Sequence, residues 1–264
     1  MKDRVITKKE IEEILIKYNI GKKPLSLVLG WGEVTIIRYL DGGIPDKLHS
    51  DVLFSIKNNH NKMLEYLNKN KDLITNLAYK KVIVKIGEME EELEKDNIYL
   101  ISKYIIQKLE DTTPLALQKI LYYIDGFSLA LLGISILEYS PEAWVHGPVY
   151  RNIYDYYCHY KFNPIDKNNE CLNLEILDKN VLEIIDGVIN SFGCYSGKVL
   201  ENMTHLSSSW LDAREGLFVD EISDKLISKD KMREEFICIC QKYHIDNFKD
   251  ISRYSIKLFR KVMK

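Results

Sequence analysis

The sequence predicts a mainly α fold in two parts, a bundle of short helices followed by a larger α-helical domain with at most a small β element. Three observations carry that expectation. Apolar residues recur at spacings of three and four through most of the chain, helix-capping signals stand where those patterns begin, and only two short stretches read as strands.

In chain order, Thr7 with Glu10 forms a capping box, which opens a helix to about Tyr18 with Ile11, Ile14, Leu15 and Tyr18 on one face. Gly21 breaks it. A second short helix follows, with Pro24 in its first turn and Gly30 ending it. A third runs from Glu33 to Leu40, burying Ile36, Leu40 and Val34 or Ile37, and stops at Asp41-Gly42-Gly43. Asp46 to Glu94 reads as further helix, interrupted near Asn58-Asn59 and at Gly87.

After Asp96, Ile98, Ile101, Ile105 and Leu109 mark another helix. Thr113-Pro114 then starts the most hydrophobic helix of the chain, running to about Leu132. Apolar nearly all round, it belongs at the centre of a core. Ile134 to Tyr139 and Cys171 to Ile176 read as short strands. Gly147-Pro148 is expected to open a helix with Tyr150, Ile153, Tyr154, Tyr157 and Tyr160 on one face, stopped by Asn163-Pro164. Val181 to Phe192 is helical, Gly197 to Trp210 mixes helix with a polar stretch, and one or two helices run from Lys229 to the end. The expected organisation is a first domain over 1–70, a helical linker over 71–96 and a second domain over 97–264.

The 264 residues are 46% hydrophobic and 29% charged, with 13 Gly and 6 Pro, which excludes collagenous and disordered classes. The first nineteen residues lack the continuous apolar core of a secretory signal. The uncharged run from Gly126 to Leu137 is 12 residues, against the ~20 needed to cross a bilayer. A cytoplasmic location and no membrane partner are expected. The five cysteines form no Cys-x-x-Cys pair, and Cys238 and Cys240 read as core thiols.

The net charge of −2 conceals a split: residues 1–85 hold 16 Lys and Arg against 10 Asp and Glu, and residues 86–264 hold 21 against 29. A basic segment joined to an acidic one suggests one part that meets an anion and another that meets something else.

Within the basic part, one helix ends at a glycine, the chain turns, and a short second helix follows. That is the arrangement in which a second helix is laid in a DNA major groove while the first braces it. Glu33 and Val34 lie at the exposed start that would meet base edges, Thr35 and Arg38 are placed for phosphate or base contacts, and Lys22, Lys23 and Lys47 flank it for phosphate neutralisation. One such module binds DNA in a strongly salt-dependent way, so a homodimer reading two half-sites of operator DNA is expected. The string Leu29-Gly30-Trp31-Gly32-Glu33-Val34-Thr35-Ile36-Ile37-Arg38-Tyr39-Leu40-Asp41-Gly42-Gly43-Ile44-Pro45 resembles the phage-repressor-like helix-turn-helix of bacterial antitoxins. It departs at Leu40, where Glu is usual, and at Ile37, where a small polar residue is usual.

The second part offers no metal-ligand spacing, nucleophile elbow or phosphate loop, so no catalytic residue, metal site or cofactor is expected, and the chain is read as a non-enzyme. Gln118 and Asp125, seven apart, share a face of the core helix with Tyr122 between them, and a buried carboxylate there needs a partner. Asp125, His146 and His205 read first as hydrogen-bonded core groups that fix a bend. The other reading is a recognition surface rich in Trp and Tyr.

Three ordered motifs lie here. They are Leu117-Gln118-Lys119-Ile120-Leu121-Tyr122-Tyr123-Ile124-Asp125-Gly126, then Glu142-Ala143-Trp144-Val145-His146-Gly147-Pro148-Val149-Tyr150, then Met203-Thr204-His205. Together, over about 100–220, they resemble the Panacea domain, or SocA-like antitoxin domain, with Asp125 where Gln is usual. The resemblance implies an antitoxin that binds and neutralises a cognate toxin protein encoded beside it and represses the shared operon through the helix-turn-helix. For some members it implies delivery of the toxin to a cellular protease. Trp144, His146, Tyr150 and Tyr154, on an exposed bend, are the candidate toxin-binding residues. The alternative is a transcriptional regulator that responds to a ligand or a phage protein and has no toxin partner.

Overall fold

The computed structural model describes residues 4–93, 96–167 and 171–263. The chain divides into two compact units, Met1–Leu93 and Glu94–Lys264. The protein is mainly α, with one two-stranded sheet among the described residues.

The first unit holds α1 (Lys8–Lys17), α2 (Lys22–Val28), α3 (Thr35–Leu40), α4 (Lys47–Asn58), α5 (His60–Lys69) and α6 (Asn76–Leu93). The capping box forms as the sequence predicts: the Thr7 hydroxyl accepts from the Glu10 amide, and the Glu10 carboxylate accepts from the Thr7 amide. Burial alone would raise the Glu10 carboxyl, but the Thr7 donors and the Lys57 ammonium outweigh it and bring it down to about 2. Ile11, Ile14, Tyr18, Leu25, Val28, Ile36, Leu53, Ile56, Met63 and Leu67 make the core. The Tyr18 hydroxyl, buried with them, donates to the Ile56 carbonyl.

Two expectations change here. Gly87 does not interrupt α6, and the 71–96 segment is more than a connector, because Val82 and Ile86 are buried in this core. The helix expected from Glu33 begins at Thr35: Glu33 and Val34 form a turn closed by the Thr35 amide on the Gly32 carbonyl, 2.9 Å. Val34 is exposed, and Tyr39 is buried beside Ile36 and Leu40 instead.

The second unit holds α7 (Asn97–Lys108), α8 (Pro114–Leu131), strands β1 (Glu142–Trp144) and β2 (Gly147–Val149), and helices α9 (Arg151–Tyr157), α10 (Lys179–Phe192), α11 (Gly197–Thr204), α12 (Ser208–Ala213), α13 (Lys229–Tyr243) and α14 (Ile251–Val262). α8 is the hub: α7, α9, α10, α11, α13 and β2 all pack on it. Thr113 caps it through the Ala116 amide, and Pro114 occupies its first turn. Gly126 lets Phe236 of α13 lie against its backbone, since a Cβ there would meet that ring at 2.3 Å.

The β element is present but elsewhere. Residues 134–139 are turns, where the Ser135 hydroxyl bonds the Asp125 carboxylate and the Leu137 carbonyl. Leu174–Ile176 is a single 3₁₀ turn. The sheet is a hairpin that pairs Glu142 with Val149, Ala143 with Pro148 and Trp144 with Gly147, so Gly147-Pro148 opens a strand rather than a helix. Pro148 fits because it has no N–H to offer. Opposite it, Ala143 turns its N–H to the Lys225 carbonyl and its carbonyl to Arg214. Cys238 is exposed and Cys240 half-buried, not core thiols, because α13 packs through Met232 and Phe236 and turns the cysteines away.

Replacing Gly126 with Ala forces the Phe236 ring off its seat. Gly126→Ala is expected to lower stability by about 1–3 kcal/mol, read as an earlier midpoint in urea unfolding.

Candidate functional site

In the first unit the candidate contact residues fall at the start of α2, at and within α3, and at the start of α4. The Ser26 hydroxyl, buried in α2, accepts from the Ile36 amide at 3.1 Å and donates to the Lys22 carbonyl at 3.2 Å, so a single side chain locks α3 to α2. The Trp31 amide closes the turn on the Ser26 carbonyl at 2.8 Å, and Asn70 of the α5 end donates to the Val28 carbonyl at 2.8 Å. Trp31 stacks on His49 with ring centroids 4.0 Å apart, and the Tyr39 hydroxyl is hydrogen-bonded to His49 Nδ1, which ties α3 to α4.

On that frame Lys22, Lys23, Glu33, Val34, Arg38 and Lys47 are exposed and Thr35 is half-buried. Lys23 and Glu33 form an ion pair at 2.8 Å, so the acidic residue expected to meet bases is held by a neighbouring lysine. Arg38 lies over the Tyr39 ring at 5.3 Å.

In the second unit the polar residues of α8 fasten other segments to it. Gln118 behaves as a strand edge: its Oε1 accepts from the Tyr150 amide at 2.7 Å and its Nε2 donates to the Tyr150 carbonyl at 3.2 Å. The Tyr122 hydroxyl bonds the Ser207 and Ser209 hydroxyls at 2.5 and 2.7 Å. Asp125, with no exposed surface, accepts from the Tyr150 hydroxyl at 2.9 Å, from Ser135 at 2.8 Å and from the Lys229 ammonium. Lys119 is also fully buried and donates to the Pro148 carbonyl at 2.9 Å. Burial brings its ammonium down to about 7, against the pull of Glu201.

The hairpin turn is built by the same logic. Gly147 has φ +90°, and a Cβ on it would lie 2.7 Å from the Thr204 hydroxyl and 3.0 Å from Lys119 Nζ. His205 stacks on Trp210 with centroids 4.6 Å apart, and its Nε2 is hydrogen-bonded to the Val145 carbonyl at 3.0 Å. Burial first, and Lys119 nearby, lower the His205 imidazole, with Glu201 opposing. Glu201 is buried and accepts from His146 Nδ1 at 3.0 Å and Lys198 at 2.9 Å.

The four candidate toxin-binding residues separate. Tyr150 has no exposed surface, which corrects its placement on an exposed bend: its ring fills the space over Asp125. His146 keeps a side chain 70% exposed, Tyr154 is 37% exposed and Trp144 is half-buried. Trp144 and Tyr154 meet edge to face at 4.7 Å, and Arg151 lies over Trp144 at 5.1 Å. Glu142 gathers them, accepting from Trp144 Nε1 and from two Arg151 nitrogens, each at 2.6 Å.

Reading the sequence missed the charged members of this network: Lys119, Glu142, Arg151, Glu201, Arg214, Lys229 and Glu235. Their signal was a charge placed inside an apolar run, strongest for Lys119 in the middle of α8. Asp125, His146 and His205 are each tied to a different partner and do not converge on a common point. Among the described residues no group of three or more His, Cys, Asp or Glu could hold a metal ion, and no helix is long and apolar enough to cross a membrane.

Residues 117–211 match the family model described as Antitoxin SocA-like, Panacea domain. The stretch runs from Leu117 in α8, through the hairpin, to Leu211 in α12, and so contains the network except Arg214, Lys225 and its partners on α13. No curated protein and no solved structure matches the chain.

Lys119 gives the matched region a defined pH response. Its pKa is about 7 in the folded chain and near 10.5 when unfolded. Between those values the unfolded chain carries a proton that the folded one lacks, so this contribution rises with pH through the window and is lost as pH falls through it. The slope is at most about 1.4 kcal/mol per pH unit. Urea midpoints from pH 7 to 9 are expected to rise in the wild type, and Lys119→Met is expected to flatten that rise.

Proposed function

We propose that the chain is an antitoxin that binds and neutralises a cognate toxin protein and represses its own operon through α2 and α3, acting in the cytoplasm without catalysis. The match of residues 117–211 to the SocA-like antitoxin model carries the first half of this reading. Two features support the second. The first 85 residues have an excess of six positive charges, and Lys22, Lys23, Arg38 and Lys47 are exposed on or beside the locked α2–α3 pair. Arg and Lys in this setting position a duplex through its phosphates, and a homodimer would span two half-sites.

The reading is tested by expressing the product of the adjacent open reading frame alone and together with this chain. Growth arrest that co-expression relieves, with a complex that co-elutes, is the expected result; arrest that persists, or a neighbour that is harmless, overturns the antitoxin role.

For repression the probe is a duplex of the chain's own upstream region in a mobility-shift assay. Arg38→Ala is expected to weaken binding by roughly tenfold and to reduce the salt slope by about one. Binding and a salt slope that Arg38→Ala leaves unchanged overturn the assignment of α3 to the DNA-facing side.

A further inference from the structure

Directly after the stretch that matches the antitoxin model, the chain exposes an unusual run of large apolar side chains. Phe218 is 79% exposed, Val219 90%, Ile222 74% and Leu226 64%, with Leu211 51% exposed just before them. One exposed apolar residue is ordinary on a protein surface, but several in one short segment mark a place where another molecule is bound.

The loop is not slack. Arg214, only 7% exposed, sits beneath it and donates to the Ala143 carbonyl at 2.9 Å and to the carbonyls of Phe218, Val219 and Glu221 at 3.0, 3.3 and 2.8 Å. With those carbonyls drawn inward, the side chains of Phe218 and Val219 are left outside. Glu221 folds back to accept the Phe218 amide at 3.0 Å. The far end is tied to the hairpin, where the Ala143 amide donates to the Lys225 carbonyl at 2.8 Å and the Ile227 amide to the Pro141 carbonyl at 2.7 Å. Ser223 and Ile227 are buried. A loop ordered in advance loses little further entropy on binding.

The charges around it select the partner. Asp212, Glu215, Asp220, Glu221 and Asp224 are exposed along this segment. Of the two cations in this segment, Arg214 is buried beneath the loop, and the Lys225 ammonium turns back to the Glu215 carbonyl at 3.2 Å; Arg151 of α9 faces Asp224 from the hairpin side but is held by Glu142. The face offered is therefore apolar at its centre and acidic at its rim. A second copy would set one acidic rim against another, and an anionic membrane surface would repel it.

We propose that residues 214–226 form the main toxin-docking element of this chain, with Phe218, Val219 and Ile222 entering an apolar cleft that the toxin borders with Lys or Arg. This rests on the antitoxin reading above and names the surface that reading lacks. The aromatic group of Trp144 and Tyr154 adjoins it through Ala143, so the two contribute to one interface whose anchor is Phe218.

The test uses the full-length chain and the product of the adjacent open reading frame. Phe218→Ala with Ile222→Ala removes mostly exposed atoms, so the unfolding curve is expected to stay close to that of the wild type. Affinity for the neighbouring product is expected to fall on the order of 100-fold, and growth is no longer rescued. Asp220→Lys with Asp224→Lys is expected to slow association and to flatten its dependence on salt. Leu77→Ala, which trims an exposed apolar residue of the first unit, serves as the control and leaves rescue intact.

If the wild type rescues growth and the loop variants rescue equally well, the docking assignment falls and the antitoxin reading stands. If the wild type does not rescue, both fall. Loop variants that instead change the mass of the free protein in light scattering, or its flotation with phosphatidylserine vesicles, assign the loop to a second copy or a lipid surface and overturn the proposal.

Discussion

A single constraint organises the second unit: α8 is buried on every side yet carries Gln118, Lys119, Tyr122 and Asp125. An unpartnered polar group in such a place costs several kcal/mol, and an unpartnered charge costs more. Each therefore has to draw a segment of chain onto the helix. Gln118 and Lys119 draw the second strand of the hairpin, Tyr122 draws the start of α12, and Asp125 draws the Tyr150 hydroxyl and Lys229 at the start of α13. Apolar packing alone would let these pieces slide over a greasy cylinder. The hydrogen bonds set their register, which is the use of buried polar groups best supported on physical grounds.

The same logic extends outward in steps. Once the hairpin is seated, its buried Glu142 fixes Trp144 and Arg151, and the Ala143 carbonyl becomes an anchor for Arg214. Arg214 then shapes the loop after α12. Glu235 of α13 accepts from the Ser208 and Ser209 amides and from the Ser207 hydroxyl, so the start of α12 is capped by a side chain far away in sequence. The chain of dependence runs from a buried helix, through a hairpin, to an exposed loop. A change in α8 is thus felt at the surface without touching it.

How much of this the sequence disclosed follows from the range of each interaction. Local signals were legible: the Thr7–Glu10 capping box, Thr113-Pro114 at the head of α8, and the shared face of Gln118, Tyr122 and Asp125 all depend on residues within one or two helical turns. The hairpin was not: its strands pair over a few residues, but the free edge of the first is held by Lys225 and Arg214, far along the chain. Gly147-Pro148 therefore looked like a helix start. Tyr150 was placed on the surface because an aromatic stripe at helical spacing does not say which member faces the core; the buried Asp125 decides it. The short helix α3 was legible, but its first turn was overextended, since nothing at Glu33 or Val34 caps a helix and the Gly32 carbonyl takes the Thr35 amide instead.

The division of charge gains a structural meaning from these details. In the first unit, Lys22, Lys23 and Arg38 are exposed on a short, locked helix pair, the arrangement on which the proposed contact with one extended anion rests. In the second, several carboxylates are consumed internally: Asp125, Glu142, Glu201 and Glu235 are each engaged by donors of this same unit. Other carboxylates stay exposed, and five of them, Asp212, Glu215, Asp220, Glu221 and Asp224, stand on the segment after Leu211 beside apolar side chains that the structure holds away from the core. Internal carboxylates give the unit its shape, and external ones decide what may approach it. In the proposed reading, that separation lets the matched region keep its internal bonding while the loop beyond it varies with the partner. It also explains why the overall charge says so little: the groups that decide recognition are a small subset of those that are counted.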